Sequence, residues 1–227
     1  MSFDNEGTVV RLLSDDNYHR YSKQVARELR ERRTFPDDSF DAFLPAPMGA
    51  ISPHHWTPLA VSLRVAEWFS QLGVKTAVDL GSGVGKFCVA TALAGEAELI
   101  GVEQRADLVE AATALAKLFG VADRVRFIHG VLGACEIPEA DAYYLFNPFG
   151  ENLFGSPLHV DEQVELSAER YDRDVKFVQG FMSRARLGTY VVEYNGIGGV
   201  MPQCYEPMLV ETALPNPLRM WRKTSEP

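Results

Sequence analysis

A short apolar run ending in Val78-Asp79-Leu80-Gly81-Ser82-Gly83-Val84-Gly85 passes straight into a longer apolar stretch, and it constrains this chain more than any other segment. Thr76–Leu80 reads as a strand and Val84–Ala94 as a helix. The glycines between them let the backbone approach a ligand, and a helix start offers unpaired N–H groups. In open α/β sheets ligands bind where strands end in this way. The chain is therefore expected to hold a small molecule at the carboxyl end of this strand.

Three ligand classes use such a turn. A phosphate loop needs G-x-x-x-x-G-K-[ST], but Gly81 to Gly85-Lys86 is one residue short, and Phe87 stands where a magnesium-holding hydroxyl belongs. The dinucleotide fingerprint G-x-G-x-x-G fails by one position, since Gly85 comes early and Lys86 takes the third glycine's place. Asp79 precedes the turn, where a carboxylate repels a pyrophosphate and attracts a cationic ligand. The residues favour a ligand carrying an ammonium group.

The remaining pattern alternates short apolar runs with helical ones. Glu98–Val102, Val125–His129, Ala140–Phe146 and Gly188–Tyr194 read as strands, apolar on both faces as in a covered parallel sheet. Ala106–Phe119, closed by Gly120, and about 161–186 read as helices. The glycines and prolines after residue 195 suggest turns joining short antiparallel strands. Before the sheet, 11–33 has the spacing of one or two amphipathic helices, and 35–58 is too rich in proline for continuous helix. Thr57-Pro58 reads as a helix start, with Thr57 as N-cap and Gly73 as the stop. The expected fold is α/β: a doubly wound, mostly parallel sheet with helices on both faces, antiparallel C-terminal strands and an N-terminal helical extension. Residues 1–56 form the extension or lid, and 57–227 the binding domain.

Residues 79–86, Asp-Leu-Gly-Ser-Gly-Val-Gly-Lys, resemble the first motif of class I S-adenosylmethionine-dependent methyltransferases, acidic-x-Gly-x-Gly-x-Gly. The resemblance spans about residues 57–195. It implies a Rossmann-like fold, S-adenosyl-L-methionine as cofactor, and methyl transfer as the activity. By this resemblance Thr57, Asp79, Gly81, Ser82, Gly83 and Gly85 surround the cofactor, and Glu103, at the end of the second strand, takes its two ribose hydroxyls. Many members carry an acidic residue after the third strand, but here that place reads His129-Gly130-Val131-Leu132. The backbone groups of Gly130 and Val131 are left to serve the adenine, or Glu136 reaches back to it.

The fourth strand ends in Asn147-Pro148-Phe149-Gly150, where amino-group methyltransferases carry N-P-P-[YF]. The likeness implies that Asn147, Pro148 and Phe149 form the catalytic segment: oxygens accept hydrogen bonds from a target amine, and the ring packs on it. The segment also resembles that of Dot-type lysine methyltransferases. Read without the resemblance, Asn-Pro is a turn that ends a strand. Tyr194, at the end of the fifth strand, is the candidate substrate-binding residue, against the plainer reading of an ordinary strand-end cluster.

Composition narrows the partners. A net charge of −9 and a pI near 5.1 disfavour nucleic acid as acceptor and leave a nitrogen of a protein or small molecule. The arginines of Arg27–Arg33 are broken by Glu28 and Glu31 and read as a solvated helix face. Cys88, Cys135 and Cys204 form no C-x-x-C pair, which predicts reduced thiols and no zinc site. Adjacent His54 and His55 make a poor metal pair. The residues after Met1, with Asp4 and Glu6, lack a signal-peptide pattern, and no apolar run approaches the roughly 18–20 residues needed to span a bilayer. A cytoplasmic protein without membrane contact is expected. Two competitors stay open: a non-catalytic binder of the same cofactor, and a nicotinamide-dependent oxidoreductase.

Overall fold

The computed structural model describes residues 2–3, 9–10 and 15–227. The reading of the chain start at Asp4 and Glu6, and the first residues of the 11–33 helix, lie outside them. Two strands, β1 (Ser2–Phe3) and β2 (Val9–Val10), pair antiparallel. The extension continues with α1 (Asp15–Arg30), α2 (Asp37–Asp41) and α3 (Ser52–His55). Then come α4 (Leu59–Leu72), β3 (Thr76–Leu80), α5 (Lys86–Ala94), β4 (Glu98–Glu103), α6 (Ala106–Leu118) and β5 (Val125–His129). After β6 (Ala142–Phe146) and two 3-10 turns (Gly150–Leu153 and Ser156–Leu158) follow α7 (Ala168–Arg184), β7 (Tyr190–Tyr194), β8 (Tyr205–Glu211) and β9 (Leu218–Lys223).

The seven strands β3–β9 form one sheet in the order β5-β4-β3-β6-β7-β9-β8. The first five are parallel, and β9 joins β7 and β8 antiparallel. The chain reverses its direction of travel across the sheet between β3 and β6. At such a switch point the loops above two neighbouring strands part and leave a crevice. The expected doubly wound fold is the one found.

The two faces are covered unequally. One carries α1, α2, α4, α5 and α6, with every residue of α5 buried and its alanines admitting close neighbours. The other is covered mainly by α7, through Val175, Val178 and Met182. Lys223 is buried and donates to the Ser183 and Ala185 carbonyls at 2.6 and 2.7 Å, placing a cation on the C-terminal end of α7.

Several local expectations are corrected. Helix α5 starts at Lys86, because Gly85 sits at φ +76° and a left-handed residue cannot be its first turn. Thr57 does not cap α4; its hydroxyl pairs with the Tyr144 phenol at 3.0 Å, and Asp37 Oδ1 accepts from the Leu59 N–H at 2.9 Å instead. The proline-rich stretch holds two short helices, and Phe40 and Phe43 pack on Phe119 within the core. Helix α7 begins only at Ala168, where the Ser167 Oγ accepts from the Arg170 N–H.

Candidate active site

The β3–α5 turn is bound to the next strand by the N–H groups of Gly81 and Ser82, which both donate to the Val102 carbonyl. Gly81 and Gly83 both have positive φ, and a Cβ on Gly83 would collide with the Trp56 ring. The extension thus lays Trp56 directly on the turn, its indole N–H donating to the Met48 carbonyl at 2.9 Å. Gly85 serves packing: a Cβ there would meet Phe127 and Ala112.

Glu103 ends β4 buried beside this turn. Its Oε2 accepts from the Gly83 N–H at 3.0 Å and its Oε1 from the Arg105 N–H at 2.9 Å. Burial raises its pKa, and the Arg105 N–H and guanidinium offset part of that rise. The Arg105 side chain donates to Asp161 at 2.8 Å and Glu151 at 2.9 Å, fastening the loop after β6 to the end of β4. Arg105 was not foreseen from sequence, because both partners lie far along the chain.

A cleft opens above the switch point, lined among others by Gly81, Gly83, Glu103, Gly130, Asn147 and Phe149. Beside it lies a smaller, narrow chamber lined by Thr57, Asp79, Ser82 and Lys86. His55, Trp56, Gly81 and Phe146 line both. Asp79 is fully buried, and desolvation pushes its pKa up to about 8; the Cys88 thiol, 3.6 Å away, opposes the rise and the Glu103 charge adds to it. Lys86 does not neutralise it. That ammonium lies 2.6 Å from Asp37 Oδ1, 2.7 Å from Asp41 Oδ1 and within reach of Ser52. The Asp41 contact is an ion pair whose angle is poor for a hydrogen bond. The Ser82 hydroxyl is buried without a partner.

At the end of β6, Asn147 takes φ +38°, a left-handed conformation that asparagine tolerates. Its carbonyl accepts from the Gly150 N–H at 3.0 Å, and its amide lies where a Cβ of Gly150 would sit. Pro148 and Phe149 line the same cleft, and a Cβ on Gly81 would touch Pro148 at 3.5 Å. The glycine turn and the Asn-Pro-Phe segment therefore meet.

Three expected site residues lie elsewhere. Gly85 faces α6 and β5, as above. Val131 is 42% exposed and, unlike Gly130, does not line the cleft. Tyr194 is buried against Phe146 in the core, because successive strand residues alternate faces and Tyr194 points toward the α4 and α5 layer. Its neighbour Glu193 points to the other face and accepts from Arg219 and Trp221. Glu136 is exposed and does not line the cleft. Among the described residues no group of three His, Cys, Asp or Glu side chains is placed to hold a metal ion, the three cysteines are unpaired, and no helix is long and apolar enough to cross a membrane.

No protein-family model matches the chain, and no curated protein sequence matches it. Solved structures do. An RNA methyltransferase from Salinibacter ruber, in complex with S-adenosyl-L-homocysteine, is 22% identical with a TM-score of 0.52, over 81% of this chain and 96% of that one. A putative O-methyltransferase from Klebsiella pneumoniae is 15% identical at TM-score 0.51, over 94% and 93%. An O-methyltransferase from Bacillus cereus, also with the demethylated cofactor, is 11% identical at 0.51, over 95% and 94%. These likenesses establish a shared fold that covers most of the chain.

Proposed function

We propose that this protein is an S-adenosylmethionine-dependent methyltransferase whose acceptor is a nitrogen of a protein or small molecule. The observation that carries the reading is Asp79, a buried carboxylate with no cation, in a chamber that opens into the cleft holding Glu103. A buried carboxyl of this kind is held neutral by desolvation, and its ionised form calls for an opposite charge from a ligand. The partnerless Ser82 hydroxyl belongs to a residue lining the same chamber. An ammonium at Asp79 and a diol at Glu103 match the groups on either side of the sulfonium in S-adenosylmethionine, while a dinucleotide offers no ammonium for Asp79. The similar structures support the reading, two of them having the demethylated form of this cofactor.

When bound, the donor supplies a methyl group on a positively charged sulfur, an excellent leaving group. The chain then has to orient and desolvate. Glu103, held by the Gly83 and Arg105 N–H groups, is preorganised to accept from hydroxyls. Asn147, at a fixed backbone turn, lines the cleft with Phe146 and Phe149; its side-chain oxygen is the group to accept from a target amine N–H, and the two rings exclude water. The Asn147-Pro148-Phe149 segment is also the argument for a lysine-like amine of the Dot type. The extension reaches the cleft at its end, where His54, His55 and Trp56 form part of the wall. Three free thiols favour a reducing, cytoplasmic setting.

Calorimetry with S-adenosylhomocysteine tests the reading. Micromolar binding is expected, together with loss of binding in Asp79→Ala. Absence of heat at millimolar ligand sinks the reading, and binding of NADH in its place establishes the oxidoreductase. Tight binding with no transfer to any acceptor in lysate fractions, followed with tritiated donor, marks a non-catalytic binder.

A further inference from the structure

Four residues line both the Asp79 chamber and the Glu103 cleft: His55, Trp56, Gly81 and Phe146. In the proposed donor the transferable methyl sits between the ammonium end and the ribose end. The side chains at this junction therefore flank the reacting carbon. Of the four, only His55 is able to accept a proton.

The His55 ring is held on three sides. Phe154 meets it edge-on with centroids 5.6 Å apart, and Trp56 lies 5.6 Å away at a tilt. Its Nε2 lies 2.8 Å from the Leu158 carbonyl oxygen. A carbonyl only accepts, so Nε2 carries the hydrogen and the neutral ring keeps its lone pair on Nδ1. No side chain or backbone group among the described residues pairs with Nδ1.

We propose that His55 is a catalytic residue, Nδ1 taking the proton that the acceptor sheds during transfer. The proposal rests on the methyltransferase reading. As the acceptor heteroatom bonds the methyl carbon, the carbon–sulfur bond breaks with its electron pair left on sulfur, and the acceptor's proton passes to Nδ1. The implied acceptor class has a heteroatom that still carries a proton when it attacks: a hydroxyl, or a primary or secondary amine. A tertiary amine or a thioether has no use for this residue. Burial lowers the His55 pKa, which keeps the base free near neutrality. The Leu158 carbonyl and Glu151 act in the opposite sense, and His54 and Arg105 reinforce the lowering.

The test needs no acceptor. Protein labelled with ¹⁵N-histidine is titrated by NMR alone, with S-adenosylhomocysteine and with S-adenosylmethionine, and His55→Gln assigns the signal among the five histidines. If that variant does not fold, replacing the other four one at a time assigns it by elimination. The expected result is an Nε2–H tautomer with a midpoint below the ordinary 6.5. The sulfonium charge near Nδ1 should lower the midpoint by at least about 0.5 pH relative to the neutral thioether. An Nδ1–H tautomer, or equal midpoints with the two ligands, overturns the proposal. Failure of both ligands to bind overturns the methyltransferase reading instead.

Discussion

Replacing Asp79 by Asn should stabilise the ligand-free protein in mild alkali and weaken it in acid. Burial without a cation pushes the carboxyl up to about 8 from an ordinary 3.8. The unfolded chain loses this proton near pH 4, whereas the folded chain keeps it until about pH 8. Stability from the neutral carboxyl is therefore complete below pH 4 and falls across that interval by about 1.4 kcal/mol per pH. Near pH 8 the loss reaches about 5 kcal/mol, comparable with the net stability of many domains. Asparagine does not titrate and escapes the loss, at a cost of about 1–3 kcal/mol for amide N–H groups without partners. Urea denaturation should show the variant less stable than wild type at pH 4.5 and more stable by about 2–4 kcal/mol at pH 8. The same proton marks ligand binding. An ammonium favours the ionised carboxylate, so donor binding at pH 7 should release about 0.9 proton, read from calorimetry in buffers of different ionisation enthalpy. Parallel pH–stability curves for the two proteins, with no proton release on binding, would refute the reasoning.

Glu103→Ala removes the acceptor of two backbone N–H groups together with the proposed diol contact, and S-adenosylhomocysteine affinity should fall about 30-fold or more by calorimetry. Lys86→Met strips the cation from buried Asp41 and should cost about 3–5 kcal/mol in urea unfolding; adding Asp41→Asn should recover part of it. Asn147→Gly keeps the left-handed turn, whereas Asn147→Ala strains it by about 1–2 kcal/mol, visible as a lower Tm. Both Asn147 variants should retain donor binding in calorimetry and lose methyl transfer in the tritium assay.

The strands were legible because parallel strands covered on both sides are continuous apolar runs. Thr76–Leu80 and Val125–His129 have the boundaries their residues suggest. The glycine turn was legible for the same local reason, with one exception in role. Gly85 looks like its neighbours in sequence, yet its need for no side chain comes from Phe127 and Ala112, which no local pattern announces. Tyr194 failed on parity. Being at a strand end says nothing of which face a residue takes, and the face is fixed by the register of β6 on β7. Arg105 and Lys86 were opaque for a third reason. A buried cation is understood only through its anions, and those of Arg105 and Lys86 come from loops and short helices with no periodicity to place them.

The Lys86 contacts explain why the extension and the glycine turn work as one unit. Lys86 is the first residue of α5, where the helix dipole disfavours a cation, and it lines the same chamber as Asp79. On the proposed reading, a cation free to pair with Asp79 would compete with the ligand's ammonium for this chamber. Asp37 and Asp41 hold the Lys86 ammonium through two charge contacts, with Ser52 as a third partner. Asp79 is thereby left without a protein cation and stays protonated, and the ammonium of the proposed donor would ionise it. On the proposed reading the proline-rich segment belongs to the binding site: it supplies Trp56 over Gly83, His55 at the junction, and the carboxylates that engage Lys86 in place of Asp79.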